Sequence, residues 1–374
     1  MVQKSPRQTN IQYLREQIFR FFDLIVSERT FLLFIAALFF VAGLVSPYPQ
    51  IAMWFGFAVA GYSAVANDSI QTIGTFIVSN QDKKWWYLWI YISIIFLATV
   101  GYSWYVYDGD VSHQRLLSKG FSEAPTTFSV LQLSAPIFLI ILTRLRMPVS
   151  TTFLLLNVFS SSGEAIGGVI GKSLSGYGIA FISSIVFFSL VKRYGKFIFK
   201  GKPHPSWTYI QWLTSGLLWS VWVMQDAANI AIFLPRSLSF WQFFAFVLFI
   251  VLGLGFLFYL KGDRIQKIVD EKTEIKDVRA ATLVDFVYAI ILWYFKIINN
   301  IPMSTTWVFL GLLGGRELAM SLQAKGQQVL KLRVAALMIF KDVAFAAIGL
   351  LVSLVLAISI NETIKAKLIE YFFN

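Results

Sequence analysis

An aspartate, two amides and a hydroxyl fall inside one apolar run of this chain: Asn67, Asp68, Gln71 and Thr72, within IAMWFGFAVAGYSAVANDSIQTIGTFIVS from Ile51 to Ser79. A membrane span needs about 20 mostly apolar residues, so the run is long enough to cross a bilayer with these groups deep inside it. A carboxylate at that depth costs about 2.5–3.5 kcal/mol on insertion scales, which demands a partner or a task. Positions 68, 71 and 72 are spaced i, i+3, i+4, so a helix would turn carboxylate, amide and hydroxyl to one face, where they can converge on one ligand. Hard oxygen ligands of this kind suit sodium, and the carboxylate alone suits a proton.

The run has a counterpart. VMQDAANIAIFLP around Asp226 answers VANDSIQTIGTFI around Asp68, and NIPMSTTWVFL around Ser304 answers RMPVSTTFLLL around Ser150. Aspartate and serine are 82 residues apart in the first pair and 78 in the second. In each Pro-x-Ser-Thr-Thr segment the proline, Pro148 or Pro302, stops any preceding helix. The hydroxyls after it, Ser150, Thr151 and Thr152 or Ser304, Thr305 and Thr306, can cap a new helix and leave free backbone N–H groups aimed at an anion. For one such segment alone the plainer reading is that Ser and Thr bond back to their own helix. Duplication at a matched distance from a buried aspartate favours a ligand site instead.

The elements that must position these groups are membrane helices. Of 374 residues, 57% are hydrophobic and 14% charged, the balance of an all-α polytopic membrane protein. Cys 0 removes disulfides and thiolate metal sites, and the two histidines, His113 and His204, fall in expected loops. A membrane-embedded enzyme would therefore be left with carboxylates only, so no enzyme activity and no cofactor is expected. The net charge of +12 fits basic cytoplasmic loops better than nucleic-acid binding, and no phosphate-binding loop for ATP is present. A passive anion channel stays open as an alternative to a carrier.

Residues 1–50 are expected to hold an interfacial helix, with Ile11, Leu14, Ile18, Phe21, Phe22 and Ile25 at helical spacing, and a first span from Phe31 to Ser46. A first transmembrane repeat covers 51–191, with spans at 51–79, 85–107, 129–143, a Gly- and Ser-interrupted stretch at 149–171, and 177–191. A basic cytoplasmic linker at 192–206 leads to a second repeat at 207–360, with spans at 207–234, 240–260, 283–295, a second interrupted stretch at 304–322, and 334–360. A tail closes the chain at 361–374. That is about 11 membrane crossings, and two five-span halves enter the membrane from opposite sides, giving two inverted-topology repeats with broken or re-entrant helices. With the N-terminus cytoplasmic, 24 Lys and Arg lie in inner loops against 7 outside, the distribution expected in a cell membrane. The run from Lys261 to Arg279 reads as a solvated loop, Glu164, Arg316 and Glu317 as markers of hairpin turns, and Lys341 and Asp342 as neighbours on a helix that do not face one another.

The paired Asn-Asp-x-x-Asn and Pro-x-Ser-Thr-Thr motifs resemble the inorganic phosphate transporter family, which includes sulfate permeases, over Gly61 to Ser359. The resemblance implies an inverted-repeat fold with re-entrant hairpins, symport of phosphate or sulfate with sodium or protons, and ligand roles for Asp68, Asp226 and the two Ser-Thr-Thr groups. It departs from the family pattern at Gln71 and Gln225, each an amide one methylene longer than asparagine, and at Phe153 and Trp307, where histidine often succeeds Ser-Thr-Thr. On this reading Ser150, Thr151, Thr152, Ser304, Thr305 and Thr306 hold the oxyanion, and Asn67, Asp68, Gln71, Gln225, Asp226 and Asn229 the coupling cation. The lipid bilayer and a second copy of the chain are the other candidate partners. A divalent anion between two ionised aspartates gathers about four negative charges, and each like-charge contact at ~4 Å costs about 4 kcal/mol even at an effective dielectric of 20. With no Lys or Arg in either motif, cations are expected to enter with the anion.

Overall fold

In hydrocarbon, backbone N–H and C=O groups find no water, and a helix satisfies them all within one segment. The protein, seen in a computed structural model, is built that way, with no strand among the described residues, which are 28–118, 120–145, 147, 149–160, 163–194, 199–260, 277–295, 304–322, 328–361 and 365. The helices are α1 (Arg29–Val45), α2 (Pro49–Thr72), α3 (Gly74–Ser79), α4 (Trp85–Val106), the short α5 (Arg115–Ser118) and α6 (Val130–Arg144). A π turn (Thr152–Leu156) and a 3-10 turn (Asn157–Phe159) precede α7 (Gly163–Tyr194). The chain continues through α8 (Ser206–Ala231), α9 (Phe240–Tyr259), α10 (Val278–Trp293), α11 (Thr305–Leu322) and α12 (Gln328–Ile360). Among the described residues α4, α9, Ile166–Tyr194 of α7 and Leu332–Ile360 of α12 are each long and apolar enough to cross a membrane. The chain is a multi-pass all-α membrane protein.

Several expected spans differ from the observed helices. The run at 51–79 is two helices, because the backbone at Ile73 turns away (φ −106°, ψ 0°) and α3 restarts there. The stretches at 149–171 and 177–191 divide elsewhere: the break falls at Ser160, in extended backbone (φ −72°, ψ 133°), and 163–194 is one helix. The glycines that suggested a break, Gly167, Gly168, Gly171 and Gly178, face open space, where glycine is tolerated within a membrane helix. The stretch at 304–322 is uninterrupted, so Arg316 and Glu317 pair at 2.5 Å inside α11 rather than at a turn. The expected interfacial helix, Pro148, Pro302, the Glu164 side chain and residues 261–276 lie outside the described residues.

Two capping boxes start helices at the ends of polar connections. Ser129 accepts from Gln132 N at 3.2 Å while Gln132 accepts from Ser129 N at 2.9 Å, and Ser239 and Gln242 repeat the exchange at α9. Between helices, aromatic side chains bury their rings and donate their one polar hydrogen to a carbonyl. Trp89 Nε1 donates to Val251 O at 2.9 Å, Tyr91 Oη to Trp212 O at 2.6 Å and Trp219 Nε1 to Ile92 O at 3.1 Å, tying α4 to α8 and α9. The α7–α11 contact uses the opposite device, small residues. A Cβ added at Gly311 would overlap the Tyr177 carbonyl oxygen, and one at Gly315 that of Phe181, so the two backbones touch. Ser184 Oγ donates to Leu312 O across the same seam at 2.6 Å.

A third buried carboxylate, unforeseen from the sequence, knots α3, α8 and α10. Asp285, 1% exposed, accepts from Thr75 Oγ1 at 2.6 Å and from Ser215 Oγ. Ser215 in turn accepts from Gln211 Nε2 at 2.9 Å, and Gln211 Oε1 accepts from Asn80 Nδ2 at 2.8 Å. On the other face of the molecule the connection from α4 to α6 is drawn inward by left-handed backbone at Asp108, Gly109, His113 and Gln114. It is latched by Leu238 N donating to Gly109 O at 2.9 Å, and by Arg236 Nε and Nη2 donating to Phe121 O and Glu123 O. His113 itself is buried, its Nε2 3.1 Å from Thr99 O.

Candidate functional site

Asn67, Asp68, Gln71 and Thr72 occupy the last turn and a half of α2, all buried. Each has a different task. Thr72 Oγ1 donates to Asp68 O at 3.0 Å, so this hydroxyl bonds back to its own helix instead of converging with the Asp68 carboxylate and the Gln71 amide on a ligand. Asn67 Nδ2 donates to Asp68 Oδ1 at 2.6 Å and to Val149 O at 3.0 Å, and its Oδ1 accepts from Thr143 Oγ1 at 3.3 Å, fixing α2 against α6 and the entry to Ser150. Gln71 Nε2 reaches Asp68 Oδ1 at 3.5 Å. Asp68 Oδ2 and Gln71 Oε1 have no hydrogen-bond partner, two buried oxygens facing the interior.

The second set lies on α8, equally buried. Asn229 Nδ2 donates to Asp226 Oδ1, to Thr151 Oγ1 at 3.0 Å and to Thr152 Oγ1 at 3.2 Å, and Thr152 Oγ1 lies 3.4 Å from Asp226 Oδ1. The first Ser-Thr-Thr group thus meets the second aspartate. Val149 O accepts from Asn67 Nδ2 on one side and from Thr306 Oγ1 at 3.1 Å on the other, so both Ser-Thr-Thr groups and the Asp68 turn share one junction. Asp68 and Asp226 lie close enough for each charge to act on the other.

Both serines cap as their positions imply: Ser150 Oγ accepts from Phe153 N at 3.2 Å and Ser304 Oγ from Trp307 N at 3.4 Å. The two segments that they open are unlike each other. α11 is a regular 18-residue helix whose aligned peptides bring partial positive charge to Ser304–Thr306. Ser150–Thr152 open only onto five π and three 3-10 residues, too short and irregular for a comparable field. A regular helix therefore opens from the second segment alone. Ser304 N donates to Ser173 Oγ at 2.9 Å and Thr305 O accepts from Tyr288 Oη at 3.0 Å, which anchors that N-terminus to α7 and α10.

Two residues join the site unforeseen. Tyr288 is 1% exposed and within electrostatic reach of both aspartates. Arg115, from the drawn-in connection between α4 and α6, is 3% exposed; its Nη1 donates to Gln225 Oε1 at 2.7 Å, and Asp226 acts on its charge. Burial lowers its guanidinium to about 10, with Asp226 opposing the shift, so it remains a cation at neutral pH. As one of the basic residues counted to the outer side, Arg115 has no local pattern tying it to a residue 110 positions away. Lys341 and Asp342 stay apart from this site: the Lys341 ammonium sits 5.6 Å over the Phe345 ring, and Asp342 lines a small cavity with Tyr177 and Glu317.

Fold and site together define a multi-pass helical membrane protein with carboxylates, amides and hydroxyls from distant segments gathered in its interior. A solved structure of the sodium-dependent phosphate transporter matches the fold with a TM-score of 0.52, over 82% of this chain and 98% of its own, at 19% identity. No family model matches the chain, and no curated protein matches it in sequence.

Proposed function

We propose that this protein is a secondary transporter that carries inorganic phosphate, or a similar oxyanion such as sulfate, across the cell membrane by cation symport. The observation that carries the reading is the junction at Val149, where the Asp68 turn and the second Ser-Thr-Thr group share one carbonyl while the first Ser-Thr-Thr group binds the Asp226 turn. Hydroxyls and the α11 N-terminus suit an oxyanion, and the unpartnered Asp68 Oδ2 and Gln71 Oε1 suit a small cation beside it. Phosphate is favoured by the motif resemblance and by the name of the matching structure, and sodium by the hard oxygen donors. The two halves act as inverted repeats of about 11 crossings with the N-terminus cytoplasmic; their aspartates and serines hold corresponding places, and each half's Ser-Thr-Thr segment reaches into the other.

Uptake of labelled phosphate and sulfate into proteoliposomes, with and without an imposed sodium or proton gradient, tests this. Accumulation driven by a cation gradient is expected. Flux indifferent to every cation gradient would make the protein a passive channel, and no flux of either anion would refute the substrate class.

A further inference from the structure

The C-terminus of α3, the N-terminus of α4 and the C-terminus of α9 leave a space between them. It is a cavity of about 200 Å³ whose buried lining is apolar, Ile77, Leu88 and Phe258, apart from Asn80. Exposed Lys83 and half-buried Trp85 form its rim. Trp85, Trp86 and Tyr87 open α4 and Tyr259 closes α9, with the Trp85 ring edge-on to Tyr259 at 5.5 Å. Such rings settle at the head-group level of a bilayer, so the rim lies there and Leu88, one turn into α4, lies toward the hydrocarbon. The Asn80 wall is fixed by the protein itself: Nδ2 donates to Gln211 Oε1 at 2.8 Å and to Phe76 O at 2.9 Å, and Oδ1 accepts from Trp212 Nε1 at 2.8 Å.

We propose that this cavity binds an anionic phospholipid, its phosphate at Lys83 and its first acyl carbons over Leu88 and Phe258. The inference goes beyond transport and does not depend on it. Packed interiors leave few voids larger than a water, and an empty apolar one forfeits the contacts that its walls could make. The cavity has the polarity of a phospholipid, basic at the head-group level and apolar below, and basic pockets between membrane helices bind anionic head groups. Asp82 pairs with Lys83 at 2.9 Å, but the two side chains are 70% and 44% exposed, and a pair that open holds little energy against a phosphodiester. Pockets that enclose a drug-sized ligand measure about 300–1,000 Å³, so this smaller one takes the head of the lipid and leaves the tails in the bilayer. A soluble anion would leave the apolar floor bare, and a zwitterionic lipid brings no net charge to the lysine. The bound lipid rests against Asn80, whose bonds to Gln211 and Trp212 reach α8, the helix of Asp226.

Lipid retention by the purified full chain in uncharged detergent, read by native mass spectrometry, tests this. Phosphatidylglycerol is compared with phosphatidylcholine of the same tails and with glycerophosphoglycerol, the head group without tails. The wild type is expected to prefer phosphatidylglycerol over phosphatidylcholine about fivefold, the effect of one lysine near a membrane surface, and to hold no glycerophosphoglycerol at millimolar concentration. Lys83→Gln should remove the preference, and Leu88→Trp, which fills the cavity, should remove it too. Lys202→Gln, exposed in another connection, should leave it unchanged. Lys83 is exposed, so its variant keeps the test decisive if Leu88→Trp does not fold. A wild type with no preference, a folded Lys83→Gln or Leu88→Trp with the wild-type preference, or an equal loss in Lys202→Gln overturns the proposal. Displacement of the lipid by glycerophosphoglycerol also overturns it, since the site would then be one for a soluble anion.

Discussion

At the scale of single residues, the aspartates carry the strongest prediction. Asp68→Asn and Asp226→Asn keep the shape and most hydrogen bonds of the buried turns but remove the charge that a cation would balance. Each is expected to reduce anion uptake to the level of empty liposomes while leaving a monodisperse protein, and near-normal uptake by either would remove the cation site. Asp285 is a contrasting case, a carboxylate held by the Thr75 and Ser215 hydroxyls in a structural knot. Asp285→Asn retains an acceptor and should be tolerated, whereas Asp285→Leu leaves two buried hydroxyls without their acceptor, at about 1–3 kcal/mol each. A drop in thermal midpoint for Leu but not Asn checks this. Asp68 and Asp226 stood out in the sequence because each sits in a repeated motif; Asp285 has no counterpart, so its partners, 70 and 210 residues away, could not be read from spacing.

At the scale of elements, caps and seams carry the stability. Asp277 caps α10, its Oδ1 accepting from Arg279 N at 2.8 Å, and the Arg279 side chain holds the carboxyl below its ordinary 3.8. Because the folded value is depressed, this cap contributes fully above the unfolded value and is lost as pH falls through the folded one. Asp277→Asn should therefore destabilise the protein at neutral pH and match the wild type in strong acid, measured as thermal midpoint against pH. At the α7–α11 seam, Gly315→Val would drive a side chain into the Phe181 carbonyl, at a cost of about 1–3 kcal/mol or more, with a loss of folded yield as the measurement. The helices themselves were mostly legible, since apolar runs bounded by Pro, Ser and charge match α4, α6 and α9 to within a residue or two. Breaks were not. A π turn and a kink at Ile73 depend on what packs against them, and glycines that look like breakers in sequence lie inside α7.

At the scale of the whole molecule, the coupling ion separates the readings. With sodium replaced by choline at fixed pH, uptake should fall steeply if Asp68 and Gln71 hold sodium, whereas undiminished uptake that collapses with the pH gradient would assign the proton. Arg115 belongs to this scale, because its guanidinium reaches Gln225 from a connecting segment that only the folded chain brings in. The glycine seam has its own consequence in time. Ser184 finds the Leu312 carbonyl 128 residues further on. A ribosome adding about 5–20 residues per second takes about 6–26 s to make that stretch, so the face of α7 that carries Ser184 stays against lipid until α11 and its glycines are made. Lipid tails are as apolar as the helix that replaces them, which lets the nascent first half wait without a strong drive to collapse on the wrong neighbour.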